Sequence, residues 1–389
     1  MSLFDPTKLI NKTVAEMKPS GIRKYFGIAE TMPDAISLGV GEPDFVTPNH
    51  ILHAGAISLL EGKTSYTSNS GLIALRSEIS KYFDNRFDVS YNPESEILCT
   101  VGASEALDLT LRAFLEPGDE MLIPEPMYVA YGPMAALCGA TPVPIKTVKE
   151  NSFKLMPEDL KAAITPKTKL LLLSYPSNPT GSVMTREELT AIAEIVREHN
   201  MVVVSDEIYA ELSYGVEPTC FSSLPEMRER TVIISGFSKS FAMTGWRIGY
   251  CCAPKKLMKY IAQIHQYTIM SAPTPAQYAA LQALRYGLDD SRYMRDEYNK
   301  RRVFIYSELK RMGFDVFEPQ GAFYIFPDVS MFAKDGDDFV EQLLKEEHVA
   351  VVPGSAFGES GKNHVRISYA YSMDLIREAL KRIEHFVTK

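Results

Sequence analysis

Apolar residues fall along this chain in two alternating rhythms. Short runs that are almost wholly apolar, over residues 97–101, 120–124, 170–175, 202–205, 231–235 and 248–252, predict strands. Several of these runs are continuous rather than alternating, so they are expected to be buried on both faces, as in a mainly parallel sheet covered by helices. Between them lie stretches with helical spacing, such as 104–115 and 186–200. This succession argues an α/β fold with a doubly wound sheet. Near residue 285 the rhythm changes. A long charged helix over 289–312 precedes short strands around 314–317 and 322–327, a helix over 337–347, a strand over 349–352 and a last helix. These elements predict a second, smaller α+β domain. The expected division is an N-terminal segment (1–47) joined to the small domain, a large domain (48–284) and the small domain proper (285–389).

The length of 389 residues fits about two domains. Hydrophobic residues at 46% and charged residues at 23% suit a globular chain with a sizeable core. Lys and Arg number 41 and Asp and Glu 49, so the net charge of −8 weighs against a nucleic-acid partner. No apolar run approaches the ~20 residues that cross a bilayer, so no membrane span is expected. The first thirty residues are studded with charge, and no signal peptide is expected. The odd count of five cysteines points to reduced thiols in a cytoplasmic protein.

Ligands of open α/β sheets sit beyond the carboxyl ends of the strands, so the residues after each run are the candidates for chemistry. Run 231–235 is followed by Ser238 and Lys239, and Arg247 comes eight residues after the lysine. A lysine walled by apolar groups has the lowered pKa that imine formation with an aldehyde requires, and an arginine fork suits a phosphate. Run 202–205 ends on Asp206, with Tyr209 three residues on. A buried aspartate needs a positive partner such as a protonated pyridine nitrogen, and Tyr209 can donate to a phenolic oxygen. Run 170–175 leads into a turn carrying Asn178, another donor to such an oxygen, before a Pro179 bond that can be cis. Run 97–101 leads to Gly102, Ala103 and Ser104, which open a helix whose N-terminus can seat a phosphate. Run 120–124 leads to Tyr128, a ring that can stack. Singly, these features also read as a solvated lysine, a helix cap, a turn, a capped helix start and a packing tyrosine. Together they are the parts that pyridoxal 5′-phosphate needs.

The segment from Gly236 to Gly249 resembles the cofactor-lysine signature of the class I aminotransferases of fold type I. The likeness extends over nearly the whole chain, through Leu38-Gly39-Val40-Gly41-Glu42-Pro43-Asp44-Phe45, Tyr66-Thr67-Ser68-Asn69-Ser70-Gly71, Gly321-Ala322-Phe323-Tyr324 and Val365-Arg366-Ile367-Ser368. It is nearest in pattern to the aromatic, N-acetyl-diaminopimelate and aspartate aminotransferase branches. The resemblance implies a large domain with a mostly parallel seven-stranded sheet, and transfer of an amino group from an L-amino acid to a 2-oxo acid by a ping-pong route. Lys239 would be the cofactor lysine and the base, with Asp206 and Tyr209 tuning the ring. Gly41, Asn178 and Arg366 would hold the substrate carboxylate. Tyr66 would reach the phosphate of a neighbouring subunit in a homodimer with shared sites.

Some relatives carry Ser where this chain has Gly236, so phosphate contact is expected from Ser238, with Ser235 second. Acid-specific relatives can carry a lysine where Ser104 stands, so strict aspartate specificity is not implied. The stretch from Ser20 to Phe26 is expected to fold over the site as a lid. A pyridoxal-phosphate carbon–sulfur β-lyase is the alternative, since it uses the same cofactor shell. Residues 57–64 miss a phosphate-binding loop because Ile57 stands where it needs glycine. His50 and His53 share a helix face without a zinc motif, and no metal is expected.

Overall fold

The computed structural model describes residues 5–17, 21, 32 and 34–389. Its strands are β1 (Ile36–Ser37), β2 (Ile97–Thr100), β3 (Glu120–Glu125), β4 (Thr141–Lys146), β5 (Thr168–Leu173), β6 (Val202–Asp206), β7 (Thr231–Gly236), β8 (Gly249–Cys252), β9 (Tyr324–Ile325), β10 (Val349–Ala350), β11 (Val352–Pro353) and β12 (Val365–Ser368). Seven of them form one sheet in the order β2-β8-β7-β6-β5-β3-β4. Every pairing in it is parallel except those of β8, which runs antiparallel to both neighbours. All six apolar runs that precede residue 285 lie in this sheet. The seventh strand, β4, gives no such signal. It carries Pro142 and Pro144, is largely solvent-accessible, and occupies the sheet edge where missing N–H donors are tolerated.

Burial on both faces explains why the central runs are continuously apolar. Leu170, Leu172, Val204 and Ile234 pack on one face with Leu107 and Leu111 of the helix Gly102–Phe114 and with Ile261 of the helix Lys255–Thr268. Leu171, Leu173 and Val203 pack on the other face with Leu189, Ile192 and Val196 of the helix Arg186–Glu198. That helix starts sharply because Thr185 and Glu188 form a reciprocal capping box.

The C-terminal part forms a three-stranded antiparallel sheet, β11-β12-β9, and a parallel pair of β1 with β10. These pack with the long helix Leu288–Arg311 and the helices Gly336–Glu347 and Met373–Val387. Three sequence expectations are corrected here. The strand over 349–352 is two strands, because the chain leaves the β1 pairing at Ala350 and enters the β12 pairing at Val352. Residues 314–317 form no strand. Asp315 makes only an isolated bridge to Asp328, while Phe314 is buried against Phe332 and Phe339. The strand over 322–327 shrinks to Tyr324–Ile325. The proposed lid from Ser20 to Phe26 lies outside the described residues, apart from Gly21, which approaches Ala356.

Candidate active site

The carboxyl ends of the large sheet face a cavity of about 400 Å³. Eleven of the thirteen sequence-selected residues line it: Gly41, Ala103, Ser104, Tyr128, Asn178, Asp206, Tyr209, Ser238, Lys239, Arg247 and Arg366. Gly102 stands just behind. A Cβ there would come within 2.6 Å of Arg247 Nη2, so the bare backbone lets the guanidinium reach the helix start. Tyr66 does not join them in the single chain, where it is 77% exposed.

Lys239 follows β7. Its Nζ donates to the Gly41 carbonyl at 2.7 Å. Burial pushes its pKa down to about 8, Glu42 opposes, and the charges of Arg366 and Arg247 add to the lowering. The amine therefore has a substantial neutral fraction near pH 7–8, as a nucleophile or base needs.

Asp206 ends β6 and is buried. Burial raises its pKa, against the pull of Tyr131, the Ile208 amide and Lys239. Tyr131 donates its hydroxyl to Oδ2 at 2.8 Å, and the Ile208 N–H donates to Oδ1 at 3.2 Å. Nearby, the Tyr209 hydroxyl lies 2.9 Å from that of Tyr324, and either can be the donor. Tyr128 is half-buried and stands edge-on to Tyr131, with ring centroids 5.4 Å apart.

Arg366, on β12, is buried. Its Nη1 donates to Asn178 Oδ1 at 2.8 Å and its Nη2 to the Gly39 carbonyl at 2.6 Å. Its Nε has no hydrogen-bond partner among the described residues. The guanidinium lies 4.4 Å from the Tyr324 ring centroid and 4.8 Å from that of Phe357. No carboxylate of the described residues pairs with it, so a buried cation faces the cavity with capacity for an anion. The Asn178–Pro179 bond is cis.

At the other end, Arg247 Nη1 donates to the Thr244 carbonyl at 3.0 Å, and Nη2 approaches the start of the helix Gly102–Phe114. Ser104 and Ser238 add hydroxyls to the same cavity. A helix N-terminus, an arginine and two hydroxyls together form an anion seat. Gly236 is tight: a Cβ there would meet the Gly249 Cα at 3.0 Å where β7 and β8 run side by side. That packing accounts for glycine at this position. Ser235 lies off the cavity, with its hydroxyl 3.5 Å from the Glu207 carbonyl.

Tyr131, Tyr324 and Glu42 are among the cavity residues that received no role from pattern reading. Tyr131 follows Tyr128 by three residues, a spacing that only the fold turns into a contact with Asp206. Tyr324 crowds Gly41, where a Cβ would fall 2.4 Å from its hydroxyl. Glu42 accepts a hydrogen bond from Thr244 Oγ1 beside Lys239. Outside the site, His50 Nε2 pairs with Asp290 at 2.9 Å.

Residues 33–383 match the family model for class I and II aminotransferases. A putative aminotransferase of Bacillus subtilis (strain 168), YugH, is 50% identical, with 98% of this chain and 99% of the relative covered. A probable N-acetyl-LL-diaminopimelate aminotransferase of the same organism is 45% identical, over 98% of this chain and 96% of the relative. The crystal structure of an aromatic aminotransferase from Pyrococcus horikoshii OT3 superposes with a TM-score of 0.90 at 40% identity, over 94% of this chain and 98% of the other. By sequence and by fold, this chain belongs to the class I and II aminotransferases, with the mostly parallel sheet of fold type I.

Proposed function

We propose that this aminotransferase works with pyridoxal 5′-phosphate held on Lys239, moving the amino group of an L-amino acid to a 2-oxo acid such as 2-oxoglutarate. The carrying observation is a single cavity in which a lysine amine of pKa about 8 feels a buried aspartate and two arginines.

The residues fit the cofactor. Asp206 is buried without a lysine or arginine salt bridge among the described residues, and a protonated pyridine nitrogen supplies the missing cation. Arg247, Ser238, Ser104 and the open turn at Gly102 and Ala103 suit the phosphate. Tyr128 offers a ring face, and Asn178 and Tyr209 offer donors to the phenolic oxygen. When bound, the cofactor supplies an aldehyde carbon and an electron-accepting ring. Asp206 keeps a proton on the ring nitrogen. The Lys239 amine, once free, would take the proton from the substrate's Cα and give it to the cofactor's aldehyde-derived carbon, two bonds away through the amino nitrogen. Arg366 clamps the α-carboxylate, with Asn178 fixing its fork and Gly41 leaving room against Tyr324.

The proposal includes a homodimer in which Tyr66, exposed in one chain, completes the phosphate site of its neighbour. It includes the division at residues 47 and 284, supported by the pairing of β1 with β10. A cytoplasmic location belongs to it as well. No described helix is long and apolar enough to cross a membrane.

The donor class is aromatic, dicarboxylic or related, drawn from relatives named for aromatic amino acids, aspartate and N-acetyl-LL-diaminopimelate. The matches favour transamination over the carbon–sulfur lyase reading. A donor panel with 2-oxoglutarate tests this directly. Glutamate should form in step with the donor's 2-oxo acid. Pyruvate and ammonia from cystathionine without any oxo acid would overturn the reading in favour of the lyase.

A further inference from the structure

We infer that His265, acting through Glu105, is a positioning residue for the phosphate seat. The inference rests on the cofactor reading above but concerns residues outside the cavity.

The helix Gly102–Phe114 begins after Val101, whose apolar side chain provides no cap. A helix start leaves its first N–H groups without partners. Glu105, one turn in, folds back so that its Oε2 accepts the Val101 N–H at 2.5 Å. It thereby ties down the amide that precedes the seat, while those of Gly102, Ala103 and Ser104 have no partner within the helix. This arrangement has an electrostatic cost. A carboxylate in the first turn of this helix repels an anion bound at the same helix end.

His265 resolves the conflict. It lies on the helix Lys255–Thr268, which packs against the seat helix, and its side chain is 0% exposed. Its Nδ1 stands 2.7 Å from Glu105 Oε1. A carboxylate can only accept, so Nδ1 carries the proton, and its hydrogen bond to Oε1 offsets part of the carboxylate's charge. The other ring nitrogen, Nε2, is buried with no partner among the described residues. A half-satisfied histidine is a poor choice for mere core filling, where an apolar residue of similar size would leave no orphan atom. Its one bond is to the group that organises the seat. The chain of contacts therefore runs from His265 to Glu105, then to the Val101 amide, and so to the turn that meets Arg247.

The test uses the full-length holoenzyme and measures the rate of cofactor release by absorbance, with phosphate affinity of the apoprotein as a second readout. His265→Leu should speed release and weaken inorganic phosphate binding by about tenfold or more, equivalent to about 1.4 kcal/mol. At saturating cofactor, its kcat should stay within about threefold of wild type. His265→Asn, whose amide nitrogen can take the place of Nδ1, should restore most of the retention. Glu105→Leu should match His265→Leu, and the double variant should lose no more than either single change, because the two residues act as one unit.

Equal losses in His265→Leu and His265→Asn would show a packing role only and overturn the inference. So would additive losses in the double variant, or wild-type retention in His265→Leu. If His265→Leu fails to fold, Glu105→Leu and His265→Asn still decide the matter through the same two readouts. Failure of the cofactor reading itself is distinguishable, because wild type would then show no cofactor absorbance to lose.

Discussion

Replacing Tyr131 with Phe removes one hydroxyl and keeps the ring. In the folded chain that hydroxyl donates to Asp206 Oδ2 at 2.8 Å, and both side chains are buried. Burial already drives the Asp206 pKa upward, and the Tyr131 bond is the largest influence holding it down. Hydrogen bonds to charged groups contribute roughly 1.5–3 kcal/mol. Losing this one stabilises the neutral acid relative to the carboxylate. If that difference is expressed in the transition state, kcat/KM falls by roughly 10–100-fold. The sign in pH follows as well. With Asp206 as the proposed ionised partner of the ring nitrogen, raising its pKa would move the acidic limb of the rate profile to higher pH. Steady-state kinetics from pH 5 to 9 measure both effects, and cofactor absorbance checks that the site stays loaded. An unmoved acidic limb with kcat/KM within twofold of wild type would refute the reasoning. Tyr131 would then be a packing residue.

Other outcomes follow from single contacts. Arg366→Lys loses the planar fork that meets Asn178 and Gly39, so KM for amino and oxo acids should rise about tenfold or more while cofactor absorbance stays unchanged. Gly249→Ala would place a Cβ 2.5 Å from the Ala103 amide nitrogen, and this overpacking should cost about 1–3 kcal/mol in a denaturant melt and weaken cofactor retention. Glu207 is fully buried, and burial lifts its pKa from 4.5 to about 7 despite hydrogen bonds from Phe221 N–H and the Ser205 hydroxyl. The folded state therefore holds its proton where the unfolded state has lost it, so this group's contribution to stability declines as pH rises from 4.5 through about 7. That decline is worth on the order of 3 kcal/mol, and Glu207→Gln should escape it. Urea midpoints at pH 5 and pH 8 will show a variant whose advantage grows with pH, or else the assignment is wrong.

Much of the fold was legible because burial on both faces leaves a plain mark. The Leu170–Leu173 segment of β5 and the Val202–Val204 segment of β6 are apolar at every position, which only a covered sheet demands. The edge strand β4 escaped because solvent relaxes the requirement and two prolines mask it. Phe314 and Val316 show the opposite error. They read as part of a short strand, but both are buried, Phe314 against Phe332 and Phe339, with only an isolated bridge at Asp315. In the site, residues that directly follow strands were readable, since the sheet itself brings Asp206, Asn178 and Lys239 together. Contacts between elements far apart in sequence were not. Nothing local ties Tyr131 to Asp206, 75 residues on, or His265 to Glu105, 160 residues back. Arg366 lay between these cases: its burial in an apolar strand was readable, but the absence of an internal carboxylate beside it, among the described residues, needed the fold.

The account depends most on which amine captures the cofactor. Reducing the purified protein with borohydride in the presence of pyridoxal 5′-phosphate, then mapping the peptides by mass, locates that amine. The pyridoxyl mass is expected on Lys239 and should vanish in Lys239→Ala. A label on any other lysine, or no label at all, would contradict it.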